Sequence, residues 1–429
     1  MLVDEYSKIT AGCSVDFHGE TCNFYGRLKH MESTDRAVRK EAYLAWAKMY
    51  EDVADKLDDV YYRMVQLRAG MAKKMGFDSY IPFAYAQRGR IDYTPEDAAG
   101  FRRQVLENIT PFADKLRRAQ AARLGLDKLR YYDEMLAFPE GNADPKGDRD
   151  FMVAAASKMY SELSPETREF FGFMVEHELF DLVSRPGKHM GGYCTMLIGE
   201  KAPFIFSNFN GTSADTDVLT HEAGHAFESF TASRRLPIDD LIWSTSEINE
   251  IHSMSMETFT YPWMNLFFGE EELKYKYIHL VTSLAVMPYM CVVDEFQEKV
   301  FTDPSISGKE YRGLWRSIEK KYMPWRDYDG VEFLEEGGFW MQKQHIFMYP
   351  FYYLDYALAQ TCAFQFFTRM QENREEAWNG YLKLCQSGGS RGYFDTLEYA
   401  GLDNPFKEGT VAKSILGVKQ FLNEIEKKL

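Results

Sequence analysis

Apolar residues recur at three- and four-residue steps through most of the chain. Tyr43, Trp46, Ala47, Tyr50, Val53 and Leu57 form one such stripe, the mark of a helix with one buried face. Ser33-Thr34-Asp35 stands before it with side-chain oxygens able to cap. A second long helix is predicted from about residue 56 to 75, ended by Gly76-Phe77-Asp78. Thr94-Pro95-Glu96-Asp97 reads as another start, Thr94 as cap and Pro95 in the first turn, with a long helix on to about residue 125. Beyond the loop at 141–148, helices are expected from about 150 to 182, closed by Ser184-Arg185-Pro186-Gly187.

Two-residue alternation is rarer. Residues 13–20 alternate around Gly19 and suggest a short hairpin. Residues 191–197 and 202–209 read as strands separated by Gly199-Glu200, and they come just before the next helix. That helix starts near 213–217, with Ser213 or Asp215 as cap. Leu219, Ala223, Ala226, Phe227 and Phe230 are its apolar stripe, and it stops near Arg234-Arg235-Leu236-Pro237. Ser244 and Glu247 have capping-box spacing and open a further helix that carries Glu250 and Glu257. The remainder is helical, broken at Asp303-Pro304, Met323-Pro324, Gly337-Gly338 and the loop 387–392, which reads equally as a flap or a connector. No internal repeat is found. The expectation is a mainly α protein with a small sheet, in two lobes at 1–185 and 186–429.

The polar face of the helix after the strands holds the chemistry. His221-Glu222-Ala223-Gly224-His225 has the form H-E-x-x-H, which puts two imidazoles one turn apart. Both can reach one metal ion, and Glu222 lies beside them to take the proton of a metal-bound water. Gly224 has no packing role in a plain surface helix; it lets another backbone pass close. A zinc hydrolase needs a third protein ligand. Glu250, 25 residues after His225 on the next helix, is the best candidate; Glu247 and His252 compete. Glu257, seven residues further and on the same face, is placed to orient a ligand histidine. Further along, His345, Tyr349, Tyr353 and Tyr356 follow helical spacing and could donate to an oxyanion, or form an aromatic core stripe.

Charge narrows the partners. Lys and Arg number 50 against 65 acidic residues, a net −15, with no basic block, so nucleic acid or an anionic membrane surface is not expected as a partner. No run of about 18 apolar residues is seen, and no membrane span is expected. Met1-Leu2-Val3-Asp4-Glu5-Tyr6 has neither a basic nor an apolar region of a secretion signal. The six cysteines are scattered. Cys13 and Cys22 are close enough to pair, but the reading is free thiols in a reducing cytoplasm.

Taken together, His221-Glu222-Ala223-Gly224-His225, Asn249-Glu250-Ile251-His252-Ser253, Ala202-Pro203-Phe204-Ile205-Phe206-Ser207-Asn208 and the Tyr-rich segment from His345 resemble the thimet oligopeptidase family of zinc metallopeptidases, most closely its oligoendopeptidase F branch. The resemblance covers nearly the whole chain. It implies a helical, zincin-type fold with a deep substrate channel, and one Zn2+ per chain held by His221, His225 and Glu250. It implies Glu222 as general base and transition-state stabilisation by His345, Tyr349 and Tyr356, with one of Tyr352 and Tyr353 facing the zinc. It also implies a further helical region before Asp4 in full-length members, which bears on how the channel closes. The expected activity is endopeptidase cleavage of short, unstructured oligopeptides. An extended substrate would pair with the strand before the metal helix, at Gly191, Gly192, Ala202 and Phe204, with Tyr352 also expected to contact it. Two other readings stand beside it: a carboxypeptidase or dipeptidase using Arg391 to hold a terminal carboxylate, and a helical peptide-binding protein without turnover.

Overall fold

In the computed structural model, residues 1–22, 30–185, 188 and 191–429 are described, the side chains of 16 and 20–22 excepted. The Cys22 side chain and the expected Pro186-Gly187 stop therefore lie outside the description. The chain divides into two compact units, Met1–Asn142 with Leu284–Leu354, and Ala143–Ser283 with Asp355–Leu429. This is a different division from lobes meeting at residue 185. Residues 143–185 belong with the H-E-x-x-H helix because a strand within them joins the sheet beside it.

Helices of eight residues or more are numbered in chain order. In the first unit, α1 (Leu2–Ala11) precedes the expected hairpin, β1 (Val15–Phe17) and β2 (Glu20–Cys22), whose turn uses positive φ at His18 and Gly19. Asp35 accepts from the Ala37 N–H and caps α2 (Arg36–Glu51), and α3 (Ala54–Lys74) and α4 (Tyr80–Gln87) follow. Thr94 and Asp97 close a full capping box at the start of α5 (Pro95–Asn108). The single helix expected to reach residue 125 is instead two. Pro111 sits in the first turn of α6 (Thr110–Arg123), where a missing N–H costs nothing, and the chain is re-nucleated there. The unit is filled by aromatics: Tyr61 packs with Phe296, Tyr311, Trp340 and Phe347, and Tyr43 donates to the Tyr328 carbonyl at 2.6 Å.

In the second unit, α7 (Arg149–Leu163) and α8 (Pro165–Glu176) are followed by a strand where helix was expected: β3 (Phe180–Val183) pairs parallel with β5 (Ala202–Phe209). β4 (Tyr193–Leu197) pairs antiparallel with the other side of β5, from Tyr193 opposite Phe206 to Leu197 opposite Ala202. The order is β3-β5-β4. The strand of Ala202 and Phe204 is thus central, and β4 is an edge. Next come α9 (Ala214–Arg235) and α10 (Ser246–Phe259), then α11 (Glu272–Thr302), which runs out of this unit. α12 (Lys309–Tyr322) belongs to the first unit, and α13 (Tyr352–Glu372) returns to the second, which ends with α14 (Arg374–Ser387), α15 (Tyr393–Ala400) and α16 (Leu416–Glu426). One stretch, Asn265–Thr302, is long and apolar enough to cross a membrane by composition, with a mean hydropathy of 1.4, against the expectation of none; 78% of that window is buried inside the protein, as a core helix would be.

Two expected caps take other partners. Ser213 stands at the N-cap of α9 without a side-chain bond, while Asp215 accepts from the Asn210 and Gly211 N–H groups and ties down the β5–α9 turn. The Ser244/Glu247 capping box does not form. Ser244 Oγ instead donates to the Gly388 carbonyl at 2.7 Å. Gly389 N–H donates to the Leu241 carbonyl at 2.8 Å, so the start of the loop 387–392 is tied to the turn before α10.

Candidate metal centre

α9 buries Leu219, Ala223, Ala226, Phe227 and Phe230, which turns His221, Glu222 and His225 to its other side. α10 crosses at Gly224. A Cβ built there would lie 2.6 Å from the His252 carbonyl oxygen and 2.6 Å from Ser253 Cα, so only glycine allows the approach. The crossing delivers Glu250. Its Oε2 lies 3.4 Å from His221 Nε2 and 3.6 Å from His225 Nε2, and ligand atoms of the three residues are all within 4.8 Å of one another.

These separations fit zinc. Two ligand atoms, each about 2.0–2.1 Å from a tetrahedral zinc, stand about 3.3 Å apart. Two imidazoles and a carboxylate are also the donor types zinc favours, and they leave a fourth position open. Glu250 is held by Ser253, whose Oγ donates to Oε2 at 3.1 Å. His221 Nδ1 is 2.6 Å from Glu257 Oε1, which leaves Nε2 for the metal. The competitors are elsewhere. His252 is fully buried, its pKa pulled to about 3 by that burial, and Glu247 lies buried at the start of α10.

Electrostatics separate the roles. Burial holds His225 neutral, at about 4. Burial also works against a charged His221, but Glu250 and Glu257 outweigh it and hold its pKa well above the ordinary value. Burial raises Glu222 to about 7, with His221 pulling the other way, and the Cys194 backbone N–H donates to its carboxylate. Gly192 lies against the same carboxylate: a Cβ there would sit 3.5 Å from Glu222 Oε1 and 3.0 Å from Val218 Cγ1. Gly191 has φ +95° and its carbonyl accepts from Asn208 Nδ2 at 2.9 Å.

The sheet corrects one expectation. Ala202 is buried and β5 is shared between β3 and β4, so Ala202 and Phe204 lie on the central strand; among the described residues, β4, beginning just after Gly192, is at the edge of the sheet. The aromatic segment corrects another. His345, Tyr349, Tyr352 and Tyr353 do not share a helix. A short helix ends at Met348, Tyr349 leaves the helical region ahead of Pro350 with φ −131° and ψ 70°, Phe351 has φ +64°, and α13 starts at Tyr352. The turn nevertheless gathers them within the first unit. His345 meets Tyr353 edge-on at 4.9 Å, with Tyr349 and Tyr352 at 5.9 and 5.8 Å. Tyr353 is buried and Tyr349 exposed, while Tyr356, half-buried, belongs to the second unit. Arg391 is exposed and stacks on Tyr399 at 4.2 Å. Sequence reading missed His279, whose Nε2 is 2.8 Å from Glu257 Oε2; a lone histidine in an apolar helix gives no signal.

A mainly helical chain with an H-E-x-x-H helix crossed by a glutamate-bearing helix has the architecture of a helical metallopeptidase. The chain belongs to peptidase family M3, whose sequence model matches residues 29–143 and 160–414. It is 24% identical over 413 residues to an oligoendopeptidase F homolog of Borreliella burgdorferi, covering 92% of this chain and 67% of that one. The group B oligopeptidase PepB of Streptococcus agalactiae is 22% identical, covering 87% and 61%. The chain thus spans about two thirds of the length of these curated relatives. A solved structure of PZ peptidase A with an inhibitor superposes with a TM-score of 0.96 at 47% identity, covering all of this chain and 76% of that one.

Proposed function

We propose that the chain is a zinc-dependent metalloendopeptidase that hydrolyses short, unstructured oligopeptides. The observation that carries this is the His221, His225 and Glu250 donor set at zinc-like separations, with Glu222 beside it. When bound, zinc would polarise the scissile carbonyl and make water nucleophilic near neutral pH. Glu222 takes a proton on its carboxylate and returns it to the leaving amine. A carboxyl held at about 7 by burial suits both transfers. Glu257 holds His221 by its Nδ1, so that Nε2 stays a ligand.

An extended substrate pairs with the edge of β4, next to Gly191 and Gly192, where a Cβ on Gly192 would crowd Glu222 Oε1 and Val218. The donors to the developing oxyanion are assigned to His345, Tyr349 and Tyr356, with one of Tyr352 and Tyr353, on the family resemblance. A cytoplasmic location belongs to the same proposal and rests on the scattered cysteines.

Mass analysis of products from a mixed peptide library tests the reading. Internal cleavages, abolished by a chelator and restored by zinc, are expected. Stepwise loss of C-terminal residues would replace the endopeptidase assignment with a carboxypeptidase.

A further inference from the structure

Behind the ligands, the hydrogen-bond chain continues past Glu257. Its Oε1 is 2.6 Å from His221 Nδ1, and its Oε2 is 2.8 Å from His279 Nε2 on α11. The other nitrogen of His279, Nδ1, is 2.5 Å from the Tyr261 hydroxyl. Tyr275 stacks on the His279 ring, centroids 5.8 Å apart, and donates its hydroxyl to Asp217 at 2.6 Å. Asp217 stands one helical turn before His221 on α9. His279 and Tyr261 are both buried. His279 is therefore committed at both ring nitrogens, and its orientation is set by aromatic rings on the same helix and the preceding turn.

This geometry has a purpose only through Glu257. A buried carboxylate bonded at one oxygen is free to turn about its stem, and the unbonded oxygen carries a desolvation cost. Bonded at both, it is fixed in plane and presents a single acceptor direction to His221. That direction selects the tautomer with hydrogen on Nδ1 and aims Nε2 toward Glu250 and His225. We propose that His279, seated by Tyr261, is a positioning residue of the metal site that fixes Glu257 and, through it, His221. The inference rests on the metal-site reading above. Any buried histidine needs partners at its nitrogens; what ties His279 to the metal site is that the partner at Nε2 is the carboxylate bonded to a ligand histidine.

The test uses the full chain stripped of metal. Zinc affinity is measured by competition with a chromophoric chelator, the Co2+ form by its visible absorption, and the metal-free chain by thermal melting. His279→Leu is expected to weaken zinc roughly 10–100-fold and to shift the cobalt bands as Glu257→Gln does. His279→Gln, which keeps an N–H donor near the Nε2 position, should recover most of the affinity. The double variant Glu257→Gln/His279→Leu should bind no more weakly than Glu257→Gln alone, because both changes act on one connection. Tyr261→Phe, which deletes a single hydroxyl, gives a milder change if His279→Leu fails to fold; a loss of several-fold is expected. Parental affinity and an unshifted cobalt spectrum in folded His279→Leu, or parental affinity in Tyr261→Phe where His279→Leu does not fold, would overturn the inference while leaving the metal site standing. So would additive losses in the double variant. No zinc binding by the parent chain would overturn both.

Discussion

Gly224→Ala is a change of one methyl group at the crossing of two helices, and its effect can be worked out from the contact it makes. The new Cβ would lie 2.6 Å from the His252 carbonyl oxygen, 2.6 Å from Ser253 Cα and 3.0 Å from the His252 carbonyl carbon. All three are backbone atoms inside α10, so no side chain can swing aside. Ordinary contact begins near 3.4 Å, so the helices must separate by about 0.8 Å (3.4 − 2.6). Glu250 is on α10, one turn before Ser253, and moves with it. Its Oε2 distances to His221 and His225 Nε2, now 3.4 and 3.6 Å, would then lengthen by up to about 0.8 Å as α10 moves. Zinc–ligand distances tolerate only about 0.2 Å. The expected loss is at least about tenfold in zinc affinity, about 1.4 kcal/mol. The strain of overpacking costs about 1–3 kcal/mol, offset by about 1 kcal/mol from the better helix propensity of alanine. Zinc affinity by chelator competition and melting of the metal-free chain separate the two effects. Parental affinity together with a raised melting temperature, the behaviour of glycine on an open helix face, would refute the reasoning.

Three further changes probe the same construction. Glu250→Gln removes the one charged ligand, and zinc per chain after dialysis should fall to a small fraction of the parent's, a loss beyond the roughly 100-fold of an outer partner. Zinc uptake should release a proton. Burial opposes the charged form of His221, but Glu250 and Glu257 raise its pKa, so the metal-free chain holds that proton to higher pH; zinc affinity should fall about tenfold for each pH unit below the raised value. Calorimetry in buffers of different ionisation enthalpy reads the release directly, and no buffer dependence there would contradict it. The same His221 contribution to metal-free stability is present below its unfolded value and is lost as pH rises through the folded one. In the first unit, Arg102→Met leaves Asp294 buried without its cation and Glu298 short of one. A loss of about 3–5 kcal/mol, seen as a lower denaturant midpoint, is expected.

What the sequence made legible was local or periodic. The i, i+4 spacing of His221 and His225 is a helical fact, and the apolar stripe of α9 fixes which side they face. Gly224 stood out because glycine inside a helix needs a reason, and the α10 backbone is that reason. Glu250 and Glu257 were found because they share a face of the next helix. The misses are tertiary. Phe180-Asp181-Leu182-Val183 is too short to show alternation and follows a helical run, so β3 was read as helix; without β3, β5 passed for an edge. Ser244 has a cap's spacing, yet its hydroxyl bonds a carbonyl 144 residues away. Pro350 was read through as part of a helical run, although the residue before a proline avoids helical ψ and Tyr349 has ψ 70°. His279 acquires meaning only where α10, the turn carrying Tyr261 and α11 converge.

The central claim is that Glu222 acts as the base beside a zinc held by His221, His225 and Glu250. Cleavage of a quenched-fluorescent peptide by Glu222→Gln, at zinc content matched to the parent, tests it most directly. The substitution keeps the side chain's shape and leaves the three proposed ligands in place. Loss of roughly 10²–10⁴-fold in kcat with one zinc still bound is the predicted result. Cleavage as fast as the parent's at equal zinc would contradict the account.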